Sequence, residues 1–278
     1  MTEVSKEEIE RLKEKAENIR CSIVRTISNA QVGHPGGSLS VADILTVLYF
    51  HTLNIDPKNP DWDKRDRLVL SKGHGAAALY STLAERGFFP KDILSTFGKI
   101  DSTLQVHPDK NKVPGVDAST GALGQGFSIA LGMALGARLD GKKYWVYAIL
   151  GDGEIQEGQI WEAAMCAAHY RVTNLITILD YNRVQLMGKV AEIMEISPVK
   201  DKWVSFGWNA VEIDGHNISE IISSIEEAKK FKSRPTIIIA HTVKGKGVSY
   251  MEGKSEWHGK PPCKEELKIA ISELTGKV

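Results

Sequence analysis

The residues best suited to chemistry begin at Gly151-Asp152-Gly153, directly after the apolar run 145–150. Glycines at the carboxyl end of a parallel strand let backbone N–H groups approach an anion, and the N-terminus of a following helix adds partial positive charge. Phosphate chemistry suits that arrangement. Residues 154–181 leave room for one helix and one strand before Asn182, hence a single right-handed crossover. The crossover returns Asn182 to the same sheet edge as Asp152, where a carboxylate and an amide oxygen can meet. Mg²⁺ takes about six oxygen ligands and is commonly held by few protein groups together with phosphates and water. Asp152, Asn182, one backbone carbonyl, diphosphate oxygens and a water would complete such a shell.

Eight histidines form the second set of candidates, and their contexts separate them. His34 lies in Gly-His-Pro-Gly, His74 in Ser-Lys-Gly-His-Gly, His107 in Val-His-Pro and His258 in Trp-His-Gly-Lys-Pro. Each sits on a glycine or proline turn, where a loop can deliver an imidazole into a cleft. His51 and His169 fall within helical patterns, His241 follows a strand, and His216 sits in the turn Asp214-Gly215-His216-Asn217 before a helix. These four read as structural. Lys72 adjoins His74 and is a weaker candidate, with a surface ion pair as its alternative. Cys21, Cys166 and Cys263 are far apart and lack Cys-X-X-Cys spacing. They indicate neither a disulfide frame nor a zinc site, and they fit a reducing cytoplasm.

The elements that position these residues follow from periodicity. Ile9, Leu12, Ala16, Ile19, Ile23 and Ile27 recur at steps of three or four and predict a long amphipathic helix ending near Gln31. A glycine-rich turn at 33–37 follows, then a helix from an N-cap at Ser40 to Leu53, then a polar loop over 54–63. Short aliphatic runs at 67–70, 145–150, 175–179 and 236–240 alternate with helical stretches, and 264–274 predicts a closing helix. Strands apolar on both faces belong between helix layers, so the pattern predicts an α/β fold with a mostly parallel central sheet. No linker or repeat divides the sequence, and residues 1–278 read as a single domain. Lys plus Arg and Asp plus Glu both total 35, so zero net charge argues against nucleic acid or an anionic membrane as partner. The N-terminal residues lack the apolar run of a signal peptide, and no segment reaches the roughly 18 apolar residues of a membrane helix.

Several motifs share the order and spacing of the transketolase family. They are Gly33-His34-Pro35-Gly36, Ser71-Lys72-Gly73-His74, Val113-Pro114-Gly115, Thr120-Gly121-Ala122-Leu123-Gly124-Gln125-Gly126, Gly151-Asp152-Gly153 with Gln156-Glu157-Gly158, and Trp257-His258-Gly259-Lys260-Pro261. The match spans nearly the whole chain and covers the family's first domain, so the sequence resembles the N-terminal subunit of a two-chain transketolase. The resemblance implies the thiamine-diphosphate-binding fold, with thiamine diphosphate and Mg²⁺ as cofactors. It implies transfer of a two-carbon ketol unit between sugar phosphates together with a C-terminal subunit, as two copies of each chain. Carried over by position, His74, Gly121, Leu123, Lys244 and His258 contact the cofactor, and Gly153 its diphosphate. Asp152, Asn182 and the Val184 carbonyl bind the metal.

His34, His107 and His258 line the substrate channel in this reading, where a histidine near its ordinary pKa can donate or shuttle a proton. Glu157 resembles a glutamate that connects paired active sites. Two departures are visible: Tyr181 stands where relatives often have a first asparagine, and Ser38 where many have proline. The glutamate that activates the cofactor's aminopyrimidine and the arginines that hold a sugar phosphate have no counterpart here, which assigns them to the missing half. Lys244-Gly245-Lys246-Gly247 is also similar to 1-deoxy-xylulose-phosphate synthases and to E1 α subunits. A third alternative is a non-catalytic cofactor-binding subunit.

Overall fold

A computed structural model describes residues 4–276 of the chain. Helix α1 spans Lys6–Ala30. Ser5 caps it by accepting from Glu8 N–H, and Glu7 and Glu8 complement the positive helix end. Leu12, Ala16, Ile19, Ile23 and Ile27 are fully buried along one stripe, so the predicted periodicity is the packed face. Each leucine or isoleucine among them contributes about 1.5–3 kcal/mol relative to exposure, and an aspartate at Ile23 would reverse that gain. The helix stops at Gln31, whose backbone is left-handed.

The segment predicted as a glycine turn instead forms helix α2, Pro35–Ser40. Proline supplies the first helical φ, and the segment is buried throughout. Ser40 ends this helix rather than capping the next. Its hydroxyl is 2.5 Å from Asp180 Oδ2 and 3.2 Å from Gly37 O, so it serves a buried carboxylate instead of a helix start. Helix α3, Ala42–Val47, then runs into a π-helical turn over Leu48–Thr52.

Strand β1 (Arg67–Leu70) leads to α4 (Ala76–Arg86), and α5 (Gln125–Leu139) leads to β2 (Val146–Gly151). Next come α6 (Gly158–His169), β3 (Leu175–Tyr181) and the short α7 (Val190–Ile193) and α8 (Val199–Ser205). The chain finishes with β4 (Asn209–Asp214), α9 (Ile218–Lys230), β5 (Thr236–His241) and α10 (Lys264–Thr275). The five strands form one sheet in the order β1-β2-β3-β5-β4, and every pairing is parallel. Alternate side chains feed two apolar layers. Tyr147, Ile149, Ile176, Ile178 and Ile238 face the layer of α1, α3, α4 and α9. Val146, Ala148, Leu150, Leu175, Leu179 and Ile239 face the layer of α5, α6 and α8. This is the α/β architecture that the apolar runs predict. Those runs do not reveal strand β4, an edge strand on which Ile213 is the residue with a buried side chain. Among the described residues, no helix is long and apolar enough to cross a membrane.

Candidate active site at the carboxyl edge of the sheet

The parallel register brings the chemistry to one edge. Gly151 pairs with Asp180 and Tyr181 with His241, so Asp152, Asn182 and residues 242–244 leave neighbouring strands together. They open onto a cavity of about 250 Å³ that also receives Lys72, His74 and His258. Gly121, Leu123, Gly153 and Val184 lie on its wall as well. Close backbone approach shapes that wall. A Cβ on Gly73 would sit 2.6 Å from the Thr120 carbonyl carbon and 2.7 Å from Gly121 N, so the strand exit and the 120–124 loop touch.

Asp152 is buried, and its carboxylate accepts from Gly153 N–H at 2.8 Å and from Arg183 N–H. Burial, with the like charge of Asp180, pushes its pKa up to about 7. Asn182 Oδ1 accepts from Val184 N–H at 3.1 Å, and the amide Nδ2 lies 3.4 Å from Asp180 Oδ2. The Val184 carbonyl lies 3.0 Å from Lys244 Nζ. Asp152, Asn182 and Val184 thus share one wall and offer oxygen donors alone, which suits a hard cation such as Mg²⁺. Among the described residues no group of three or more His, Cys, Asp and Glu gathers as a softer metal centre.

Cationic and imidazole groups face this oxygen set. Lys244 is buried, which pulls its ammonium down to about 8, and Nζ donates to His258 Nδ1 at 2.9 Å. His34, His74, His107 and His258 converge as the loop motifs predict. Ring centroids are 5.4 Å apart for His34 and His74, 6.2 Å for His34 and His107, 5.3 Å for His34 and His258, and 5.0 Å for His74 and His258. Burial first, then neighbouring charge, lowers His34 to about 4 and His258 to about 3, and holds His74 well below its ordinary value. The buried His34 Nδ1 has no hydrogen-bond partner among the described residues.

Glu157 falls elsewhere. It is exposed at the start of α6, 3.4 Å by its Cβ from a Cβ placed on Gly124, and does not line the cavity. His51 contacts Glu8, and His169 packs on Tyr170, as expected for structural histidines. His241 closes β5 beside Tyr181.

Three functional neighbours, of which the sequence marks only Lys72 and that weakly, complete the site. Lys72 is no surface residue: it is 1% exposed and pairs with Asp180, which is fully buried. Asp180 also accepts from Ser40 and Thr242 hydroxyls. Its signal is an aspartate ending an otherwise apolar run, Leu175 to Leu179. Glu154 is the third, a buried carboxylate whose pKa burial raises. It accepts from Ser71 Oγ at 2.6 Å and from Gly124 and Gly151 N–H at 3.0 Å, tying the 121–124 loop to the Gly-Asp-Gly turn.

Comparison with known proteins agrees with this geometry. Residues 12–276 match the family model described as transketolase, thiamine diphosphate binding domain. The chain is 47% identical over 263 residues to a 6-deoxy-6-sulfo-D-fructose transketolase subunit of Clostridium sp. (strain MSTE9), covering 95% of this chain and 96% of that one. It is 44% identical to an apulose-4-phosphate transketolase subunit of Actinobacillus succinogenes, with 95% of each chain covered. Human transketolase is 39% identical across 98% of this chain, which spans 43% of that protein. The crystal structure of Campylobacter jejuni transketolase superposes with a TM-score of 0.91 at 36% identity, over 96% of this chain and 43% of that one. With a parallel sheet whose carboxyl edge gathers these oxygens, lysines and histidines, the chain belongs to the transketolase family as a thiamine-diphosphate-binding domain.

Proposed function

We propose that this chain is the thiamine-diphosphate- and Mg²⁺-binding subunit of a two-chain transketolase. It acts with a C-terminal subunit that carries the pyrimidine-binding and C-terminal domains, as two copies of each chain. The pair moves a two-carbon ketol unit from a ketose phosphate to an aldose phosphate. The observation that carries this reading is the meeting of Asp152, Asn182 and Val184 with Lys244 and His258 around one cavity.

The residues suit the cofactor. Asp152, Asn182 Oδ1 and the Val184 carbonyl would hold Mg²⁺, while Gly153, Lys244 and His74 would hold the diphosphate. Gly121 and Leu123 would bed its thiazolium end. When bound, thiamine diphosphate supplies the carbanion stabilisation that cleavage of a carbon–carbon bond beside a carbonyl requires. The chain's own contribution is orientation and hydrogen-bond donation. Because His258 Nδ1 accepts from the Lys244 ammonium, the ring proton resides on Nε2 and is available to a sugar oxygen. His34, His107 and His258 donate to substrate hydroxyls and to the oxygen on which charge develops. Glu157, exposed near the 124 turn, connects paired sites across the contact between copies.

The test uses the purified chain and its partner. Alone, the chain should show negligible ketol transfer, and the partner should restore it. Asp152→Ala should abolish Mg²⁺-dependent binding of thiamine diphosphate in calorimetry. Full activity from the isolated chain, or undiminished cofactor binding by that variant, would refute the assignment.

A further inference from the structure

His216 occupies the turn between β4 and α9, and its two ring nitrogens have opposite partners. Nδ1 lies 2.7 Å from Asp43 Oδ2, and Nε2 accepts from Val243 N–H at 2.9 Å. A backbone N–H can only donate, so Nε2 carries no proton and the ring is the neutral Nδ1–H tautomer, donating to Asp43. Asp43 is buried on α3 and takes a two-pronged guanidinium contact from Arg20 of α1, at 3.0 and 2.5 Å. The chain Arg20, Asp43, His216 and Val243 N–H therefore fastens the exit of β5 to two helices and to the neighbouring turn.

The fastened point matters because Lys244 is the next residue. Gly245 N–H donates to Gly36 O at 2.9 Å, and Gly215 N–H to His241 O at 2.8 Å. Lys244 is thus held on one side by His216 through Val243 and on the other by α2. From that fixed backbone its Nζ reaches the Val184 carbonyl and His258 Nδ1.

We propose that His216 is a positioning residue for cofactor binding: by accepting from Val243 N–H, it sets the backbone that aims the Lys244 ammonium into the diphosphate cavity. This rests on the proposed function, in which Lys244 grips the diphosphate. A turn histidine that stabilised the fold alone would affect Lys244 no more than any other group.

A double-mutant cycle separates the two roles. Thiamine diphosphate is titrated with Mg²⁺ into the two-chain complex carrying wild-type, His216→Ala, Lys244→Ala or both substitutions. Losing the bond leaves Val243 N–H without its acceptor while Asp43 keeps Arg20, so His216→Ala should weaken binding about tenfold in the wild-type background. In the Lys244→Ala background the same change should cost less than about twofold. Equal losses in both backgrounds, or no loss in the first, would overturn the proposal. Should His216→Ala fail to fold, as judged by melting, His216→Leu, which likewise cannot accept from Val243 N–H, runs the same cycle with the same expected non-additivity. A wild-type complex that binds no thiamine diphosphate would instead refute the functional assignment.

Discussion

Replacing Lys72 by methionine tests the buried charge network under the cavity. The side chains of Lys72 and Asp180 are 1% and 0% exposed, so the substitution leaves a carboxylate in the interior without its cation. Breaking a buried pair by removing one partner costs about 3–5 kcal/mol. Asp180 keeps donors from Ser40 and Thr242 and lies 3.4 Å from the Asn182 amide, which places the loss near the lower end, about 3 kcal/mol. For a chain of 278 residues the unfolding entropy is about 0.6 kcal/mol per degree, so the melting temperature should fall by about 5 °C. Urea denaturation of the purified chain at neutral pH, followed by circular dichroism, gives the free energy directly. Adding Asp180→Asn to Lys72→Met should recover most of the loss, because the buried charge disappears with its partner. A loss below about 1 kcal/mol, or a double variant no more stable than the single one, would refute the argument that these groups act as a desolvated pair.

Acid sensitivity follows from the histidine cluster. His34 and His258 titrate near 4 and 3 in the folded chain but near their ordinary 6.5 when unfolded, so between those values the unfolded state holds more protons. The stability these two rings contribute is therefore full above about pH 6.5 and falls on acidification by up to about 1.4 kcal/mol per unit for each histidine. Asp152, pushed up to about 7, works in the opposite sense, since the folded form takes its proton first. Denaturation midpoints measured from pH 7 to 5 should decline, and His34→Gln should flatten the decline; an unchanged slope would show that His34 is not a buried neutral imidazole. Gly73→Ala forces a Cβ to within 2.7 Å of the Thr120–Gly121 backbone, and that backbone must move. The variant should bind thiamine diphosphate at least about tenfold more weakly in a calorimetric titration, since a displaced loop loses its aligned contacts.

What the sequence reveals and what it hides divide along physical lines. The strands β1, β2, β3 and β5 are legible because both faces are buried and most of their residues are aliphatic. Strand β4 is not, because Asn209, Glu212 and Asp214 lie on a sheet edge where most side chains meet water. Helix α2 is hidden by glycines that signal turns in isolation. Here Gly36 is small because a Cβ would come within 2.9 Å of the Lys244 side chain, a reason that exists only once the fold has formed. The loop histidines are recognisable from their glycine and proline neighbours, which mark turns. The pairing of Lys72 with Asp180 stays hidden for the complementary reason: charge inside a core is recognisable only when its partner, 108 residues away in the chain, is known.

The electrostatics of the cavity also revise how its histidines can work. The sequence suggests imidazoles near their ordinary pKa, able to shuttle protons at neutral pH. For His34 and His258 the first cause of the lowered value is burial, and the nearby charges, Lys244 among them, come second. An anion bound beside Lys244 would offset that lysine's share of the second cause. It would not cancel the first, because a ligand and a docked second subunit both exclude more water and so deepen the desolvation. These two rings consequently stay neutral at pH 7 whether or not the anion is bound. A neutral imidazole offers one N–H donor and one acceptor, and for His258 the acceptor nitrogen already faces the Lys244 ammonium. Their contribution is then a preorganised hydrogen bond to oxygen rather than delivery of a proton from an imidazolium. Such a donor gains strength as negative charge develops on that oxygen, in a site where water cannot compete.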